Sequence, residues 1–232
     1  MIQIDRYKIL SGSVLKLFAC LLMLLDHLAV FYFADMPWAH QSLFHIGEKA
    51  ISSGFIFHSA GRLAFPIFAF LIVEGFFHTH DRRRYALNLL ILALVSEIPW
   101  NLVHTGTIFC PKQNVIFTLL FGYLGLCAIE RFKEKPSELA ASLLGLLLLS
   151  IVARADYGCF GYGFILLLYL LRDNELLRAV IGCCVLPSRW VAGLSFIPIT
   201  MYDGNRGFAK SKFAKYCFYA FYPLHLLIIA LL

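Results

Sequence analysis

Charge is scarce in this chain of 232 residues: 15% of positions are Asp, Glu, Lys or Arg against 60% hydrophobic, and mean hydropathy is +0.77. A water-soluble domain of this length cannot bury or expose so much apolar surface, so the composition excludes one and indicates a polytopic membrane protein. Acidic residues are the scarcer sign, 14 against 20 Lys and Arg, for a net charge of +6. The basic residues nevertheless fall in short clusters between apolar runs and form no continuous stripe, so nucleic acid is not an expected partner and the clusters are read as topology determinants. No C-x-x-C spacing occurs among Cys20, Cys110, Cys127, Cys159, Cys183, Cys184 and Cys217. Their number is odd and most sit in apolar segments, so they are read as packing residues, and no metal is expected. The chain has no Gly-x-Ser-x-Gly elbow, P-loop or His-Glu-x-x-His motif, which removes the simplest support for hydrolase or nucleotidase chemistry. It has no repeat of about 20–50 residues and no low-complexity tract, and 1–232 is read as one domain. Nothing resembles a cleavable signal peptide, so the first apolar run is expected to remain as an anchor.

What the chain does have is a series of apolar segments, at 14–33, 61–78, 85–104, 114–130, 138–153, 158–171, 176–201 and 215–232. Helices are the expected spanning elements, because a lone helix satisfies its own backbone in lipid and no barrel-like alternation is present. The expectation is an all-α, polytopic transmembrane helix bundle of about eight or nine membrane segments in a cell (inner) membrane. Arg82-Arg83-Arg84, then Arg131, Lys133 and Lys135, then Arg172 and Arg178, then Arg206, Lys210, Lys212 and Lys215 alternate with loops poor in Lys and Arg. The basic set is expected to be cytoplasmic, together with the N-terminus, and the segment 34–60 outside. One conflict arises: a single helix over 176–201 would put the basic loop 203–215 outside. Pro187, Ser188 and Arg189 divide that stretch, so two short spans or a re-entrant hairpin return the chain to the cytoplasm.

The first run, Val14 to Phe33, carries Lys16 near its start and Asp26-His27 past its middle. An ionisable residue inside a membrane segment costs about 2.5–3.5 kcal/mol even on the lenient insertion scale, which makes it a functional-site hypothesis by default. Eleven steps of about 100° place Lys16 and His27 on one helix face, roughly 16 Å apart along the axis. By depth, Lys16 and Glu74 fall toward the cytoplasmic side and Asp26, His27, Arg62, Glu97 and Asp156 toward the outer side. A carboxylate near an imidazole holds its tautomer and raises its basicity, as general base catalysis needs. Adjacent helix residues point about 100° apart, however, so Asp26 either orients His27 or serves another helix, with Arg62 as the expected partner. The bland alternative for Arg62 with Glu97 or Asp156 is an interhelical ion pair. For His27 it is a histidine bonded to a backbone carbonyl. Asn114 and Thr118, followed by Gly122 and Gly125, read first as close helix packing with an interhelical hydrogen bond. Tyr222 and His225 share a face of the last run beside Pro223, and His225 is a second intramembrane histidine. His40 and His45 are not at helical metal spacing, and His78-Thr79-His80-Asp81 is a short turn.

Read together, Leu24-Leu25-Asp26-His27, the stretch from Gly61-Arg62-Leu63-Ala64-Phe65-Pro66 through Val73-Glu74-Gly75-Phe76, and Ser96-Glu97-Ile98-Pro99 resemble the TraX family. The resemblance continues through Asn114-Val115-Ile116-Phe117-Thr118, Ala155-Asp156-Tyr157-Gly158, Asn205-Arg206-Gly207 and Phe221-Tyr222-Pro223-Leu224-His225, in order along nearly the whole chain. It implies a membrane acetyltransferase that uses acetyl-CoA, the family being named for a protein implicated in pilin N-terminal acetylation. Lys16-x10-His27 also resembles, more weakly, the basic residue-x10-His pattern of acyltransferase-3 membrane O-acetyltransferases. Two departures stand out. Asn205 replaces a lysine in the family's Asn-Gly-Lys-Arg-Gly pattern, and the long outer segment 34–60, with His40, His45 and His58, is able to define another acceptor.

The resulting expectation is specific. Acetyl-CoA docks from the cytoplasm with its phosphates near Lys16 and the basic turns, with Glu74 and Arg206 also assigned to its binding. His27 acts as base or transient acyl carrier, oriented by Asp26 or Glu97, and Arg62 stabilises the oxyanion. Asp156, Tyr222, His225 and Asn114 are assigned to the acceptor: a pilin N-terminus, a small amine or hydroxyl metabolite, or a glycan. The alternatives are a proton-coupled small-molecule transporter using the same polar residues as its path, and a non-enzymatic pilus or envelope assembly partner.

Overall fold

The first apolar run folds as α1 (Gly12–His27) and passes directly into a single π-helical stretch, Leu28–Tyr32, in which Phe33 N–H bonds Leu28 C=O at 2.7 Å. This is a computed structural model describing residues 7–186 and 189–232. Leu15, Ala19, Leu22 and Met23 recur at helical spacing and form the buried stripe of α1. Beyond a short helix α2 (Pro37–His40), the strands β1 (Ser42–Ile46) and β2 (Lys49–Ser52) pair as an antiparallel hairpin. This hairpin is a minor exception to an otherwise helical chain, and it lies in the long 34–60 segment.

The remaining helices are α3 (Ser53–Gly61), α4 (Ala64–His78), α5 (Arg82–Thr105), α6 (Val115–Arg131), α7 (Pro136–Val152), α8 (Gly158–Leu170), α9 (Glu175–Val185), α10 (Arg189–Ala192), α11 (Phe196–Thr200) and α12 (Lys212–Leu231). Four stretches are long and apolar enough to cross a membrane: Gly12–Tyr32, Ser53–His78, Arg82–Thr105 and Phe213–Leu231. Pro136–Val152 and Gly158–Leu170 are apolar but shorter. The eight or nine apolar segments of the sequence therefore yield four helices of full spanning length among the described residues. A helix such as α8 rises only about 20 Å, short of a hydrocarbon core of about 30 Å.

By packing, the chain divides into two units. The first joins the chain up to Phe68 with Cys183–Leu232. Here α1 lies against α3 and α12. The first two N–H groups of α1, which no helix can satisfy internally, are capped by backbone from a distant loop: Gly12 N–H donates to Asn205 C=O at 2.8 Å and Ser13 N–H to Arg206 C=O at 3.0 Å. Ser13 Oγ adds a bond to Arg206 C=O at 2.5 Å and accepts from Ala209 N–H at 2.9 Å. Gly207 has φ +80°, and a Cβ there would collide with Ser11 and Ser13. The Asp203-Gly204-Asn205-Arg206-Gly207 stretch is thus the lid on the N-terminus of α1, and Asn205 acts there through its carbonyl.

The stretch 176–201 does not fold as one helix. Pro187 and Ser188 lie outside the described residues. On either side of them the stretch breaks into α9 and a run of short helices, with Cys183 Sγ bonded to Gly193 C=O at 3.4 Å. The chain then reaches Tyr202, bridged to Leu10 beside the start of α1. The loop 203–207 therefore lies at the N-terminal end of α1.

The second unit, Ala69–Gly182, is centred on α6, which packs against α5, α7 and α8. Gly122 and Gly125 let α8 approach, because a Cβ at either would meet Ile165 or Leu166 and Tyr162. Asn114 caps α6: its Oδ1 accepts from Ile116 N–H at 3.0 Å, and its Nδ2 donates to Ala93 C=O at 2.9 Å and to Glu97.

Candidate functional site

Asp26 and His27 leave α1 on different flanks, as their angular separation of about 100° requires. His27 turns to α12. Its Nδ1 lies 2.7 Å from His225 Nε2, with the two rings within 4° of parallel. His225 Nδ1 in turn lies 2.7 Å from Phe221 C=O. A carbonyl can only accept, so the proton of neutral His225 sits on Nδ1 and its Nε2 accepts from His27 Nδ1–H. Neutral His27 then carries its lone pair on Nε2, the form required of a base or nucleophile. Phe31 and Tyr222 stand around the ring at centroid distances of 5.9 and 6.5 Å, and Tyr222 and His225 are both buried. The π-helical stretch begins one residue beyond His27, a distortion often found at functional positions.

Asp26 turns to α3, where its Oδ1 lies 2.6 Å from His58 Nδ1. Arg62, the expected partner, is close enough to act electrostatically on Asp26, and its Nη2 lies 3.4 Å from His58 Nε2. Gly61 permits the approach, since a Cβ there would overlap the Asp26 side chain. The sequence reading had placed His58 only as one histidine of a long segment. The i, i+4 spacing of His58 on α3 and Arg62 just past its end is the available signal.

At the other end of α1, Lys16 keeps the face it shares with His27, because α1 is regular from Gly12 to His27. Its ammonium lies 5.4 Å above the Phe218 ring, and Arg206 and Lys215 are near enough to act on it electrostatically. Three basic side chains thus gather at one end of the helix.

The other candidates belong to the second unit. Glu97 accepts from Asn114 N–H at 3.0 Å and from its side-chain amide, so the two residues tie α5 to the start of α6. The group hydrogen-bonded to His27 Nδ1 is His225. The Asn114 amide is spent on its cap and its tie, at a site fully sealed from solvent. Glu74 pairs with Arg172 at 3.5 Å and lies 3.9 Å from His78. Asp156 occupies the exposed turn between α7 and α8. Among the described residues, no group of three or more His, Cys, Asp or Glu gathers as a metal would require.

Fold and site together define a class, a helical membrane protein with a hydrogen-bonded histidine pair deep in its first unit. The family model described as TraX protein matches residues 11–232, and the chain belongs to the TraX family. A curated relative, the "Probable fimbrial assembly protein FimC, serogroup H1" of Dichelobacter nodosus, is 26% identical over 249 residues, covering 93% of each chain. No solved structure matches.

Proposed function

We propose that this protein is a multi-pass inner-membrane acetyltransferase that moves an acetyl group from cytoplasmic acetyl-CoA to an amine or hydroxyl on the outer side, in a pilus-related role. The observation that carries the reading is the chain Phe221 C=O, His225, His27, which leaves His27 Nε2 as the basic nitrogen inside an aromatic surround. The cations Lys16, Arg206 and Lys215 at the opposite end of α1 suit the phosphates of a nucleotide thioester. A separation of roughly 16 Å along α1 suits its long thin arm. Membership of the TraX family and the relative's fimbrial assembly name support the pilus connection, and a pilin N-terminus, a small metabolite or a glycan is the acceptor. In this reading the N-terminus and the basic loops face the cytoplasm, and the shorter apolar helices complete eight or nine membrane segments.

His27 either takes the acceptor's proton or carries the acetyl group between half-reactions, and backbone amides or Arg62 stabilise the oxyanion. The test is reconstitution of the purified protein in vesicles with acetyl-CoA and an amine-bearing peptide, following release of free thiol. His27→Ala is expected to abolish release while remaining folded and inserted. Retained turnover overturns the role of His27. No release by the unaltered protein with any amine or hydroxyl acceptor, together with gradient-dependent flux, favours transport.

A further inference from the structure

The pair Asp26–His58 is a second hydrogen-bonded imidazole built on the residue beside His27, and it differs from the first in a way that chemistry can use. Asp26 is a carboxylate that only accepts, so His58 donates from Nδ1, and neutral His58 carries its lone pair on Nε2. A carboxylate behind Nδ1 both fixes that tautomer and stabilises the imidazolium that forms when Nε2 takes a proton. The Arg62 guanidinium nitrogen at 3.4 Å is at the limit of hydrogen bonding, a looser contact than an amine or hydroxyl donor at roughly 2.8 Å would make. Access separates the two pairs: the His58 side chain is partly exposed, whereas His225 is buried. Gly61 holds α3 against α1 at this point, so the dyad is fixed by packing rather than by a loop.

We propose that His58, supported by Asp26, is the base that receives the acceptor's proton, while His27 serves the acyl donor. This rests on the acetyltransferase reading and deepens it. As the acceptor nitrogen or oxygen bonds to the acetyl carbonyl carbon, its N–H or O–H proton passes to His58 Nε2. The bond from that carbon to its leaving atom breaks, with the electron pair going to the thiolate sulfur in direct transfer or back to His27 Nε2 if the acetyl rests there. His58 returns its proton to solvent, and the thiolate takes one up, so the overall exchange balances. Arg62, one helical turn from His58, is placed to hold an anionic group of the acceptor or the oxyanion.

The experiment uses the full-length protein in vesicles with acetyl-CoA and two acceptors: a peptide with a free N-terminal amine, and hydroxylamine, a strong nucleophile largely unprotonated at neutral pH. His58→Gln keeps a donor toward Asp26 but has no base. General base catalysis contributes about 10²–10⁴-fold, so His58→Gln should lose at least about 100-fold on the peptide. On hydroxylamine, with its protein-free cleavage of the thioester subtracted, it should stay within about threefold of the unaltered protein, whereas His27→Ala should add nothing to the background on either acceptor. Added imidazole should restore part of the peptide activity of His58→Ala, because the His58 side chain is partly exposed. Equal losses of His58→Gln on both acceptors, or no loss on either, overturn the assignment. If the unaltered protein releases no thiol with either acceptor, the acetyltransferase reading fails and this inference fails with it.

Discussion

His225 was legible in the sequence as an intramembrane histidine but not as the partner of His27, from which 198 positions separate it. Its effect is exerted through the His27 tautomer, which gives a graded prediction. His225→Leu removes the acceptor for His27 Nδ1–H and should lower turnover by about 10²-fold or more, whereas His225→Gln, whose amide oxygen can accept, should recover much of it. Thiol release by the two variants, with their melting temperatures alongside, checks this. Gly61 is the complementary case. Replacing it with Ala forces a methyl against the Asp26 side chain and should destabilise the protein by about 1–3 kcal/mol, read as a lowered melting temperature in detergent. The sequence displayed Asp26, His27 and Arg62 as costly residues in an apolar setting. It could not display which of them touch, because adjacency on a helix separates side chains while His58, 32 positions away, is within hydrogen-bond reach of Asp26.

At the scale of elements, α1 depends on its N-terminal lid. Ser11 is in the N-cap position but makes no side-chain cap, and the work passes to the carbonyls of Asn205 and Arg206 and to Ser13 Oγ. Gly207→Ala combines a left-handed backbone, costing about 1–2 kcal/mol, with a collision against Ser11 and Ser13. It should release the 203–207 loop from α1, detected as faster amide exchange at Gly12 and Ser13 than in the unaltered protein. Because Arg206 belongs to the same loop, the proposed binding of acetyl-CoA should weaken in parallel, a loss that Lys16→Ala and Lys215→Ala should reproduce with the loop still bonded. The regular course of α1 from Gly12 to His27 was readable from periodicity, so the shared face of Lys16 and His27 was too. The π-helical stretch from Leu28 was not, since a change from four- to five-residue bonding leaves no mark on an apolar run.

For the whole molecule, the pairing of Leu10 with Tyr202 and of Gly12 with Asn205 fixes the segment before α1 and the 203–207 loop at one end of α1. A phosphatase reporter, active only outside the cytoplasm, should therefore be active when inserted after Glu48 and inactive after Lys210. Activity at both positions would break the proposed topology. By itself the sequence determined the membrane-bound, helical character of the chain, the family to which it belongs and the roster of costly polar residues. The membrane-bound helical character and the costly polar residues follow from local quantities, apolar run length, helical period and the price of charge in hydrocarbon, whereas the family rests on motif blocks that recur in order along the chain. The tertiary structure alone decided that four helices reach full spanning length, that Glu97 serves Asn114, and that Asp26 and His27 head two separate hydrogen-bonded chains. Those outcomes depend on contacts between residues tens to hundreds of positions apart, where packing of whole helices selects the partner and no local pattern records the choice.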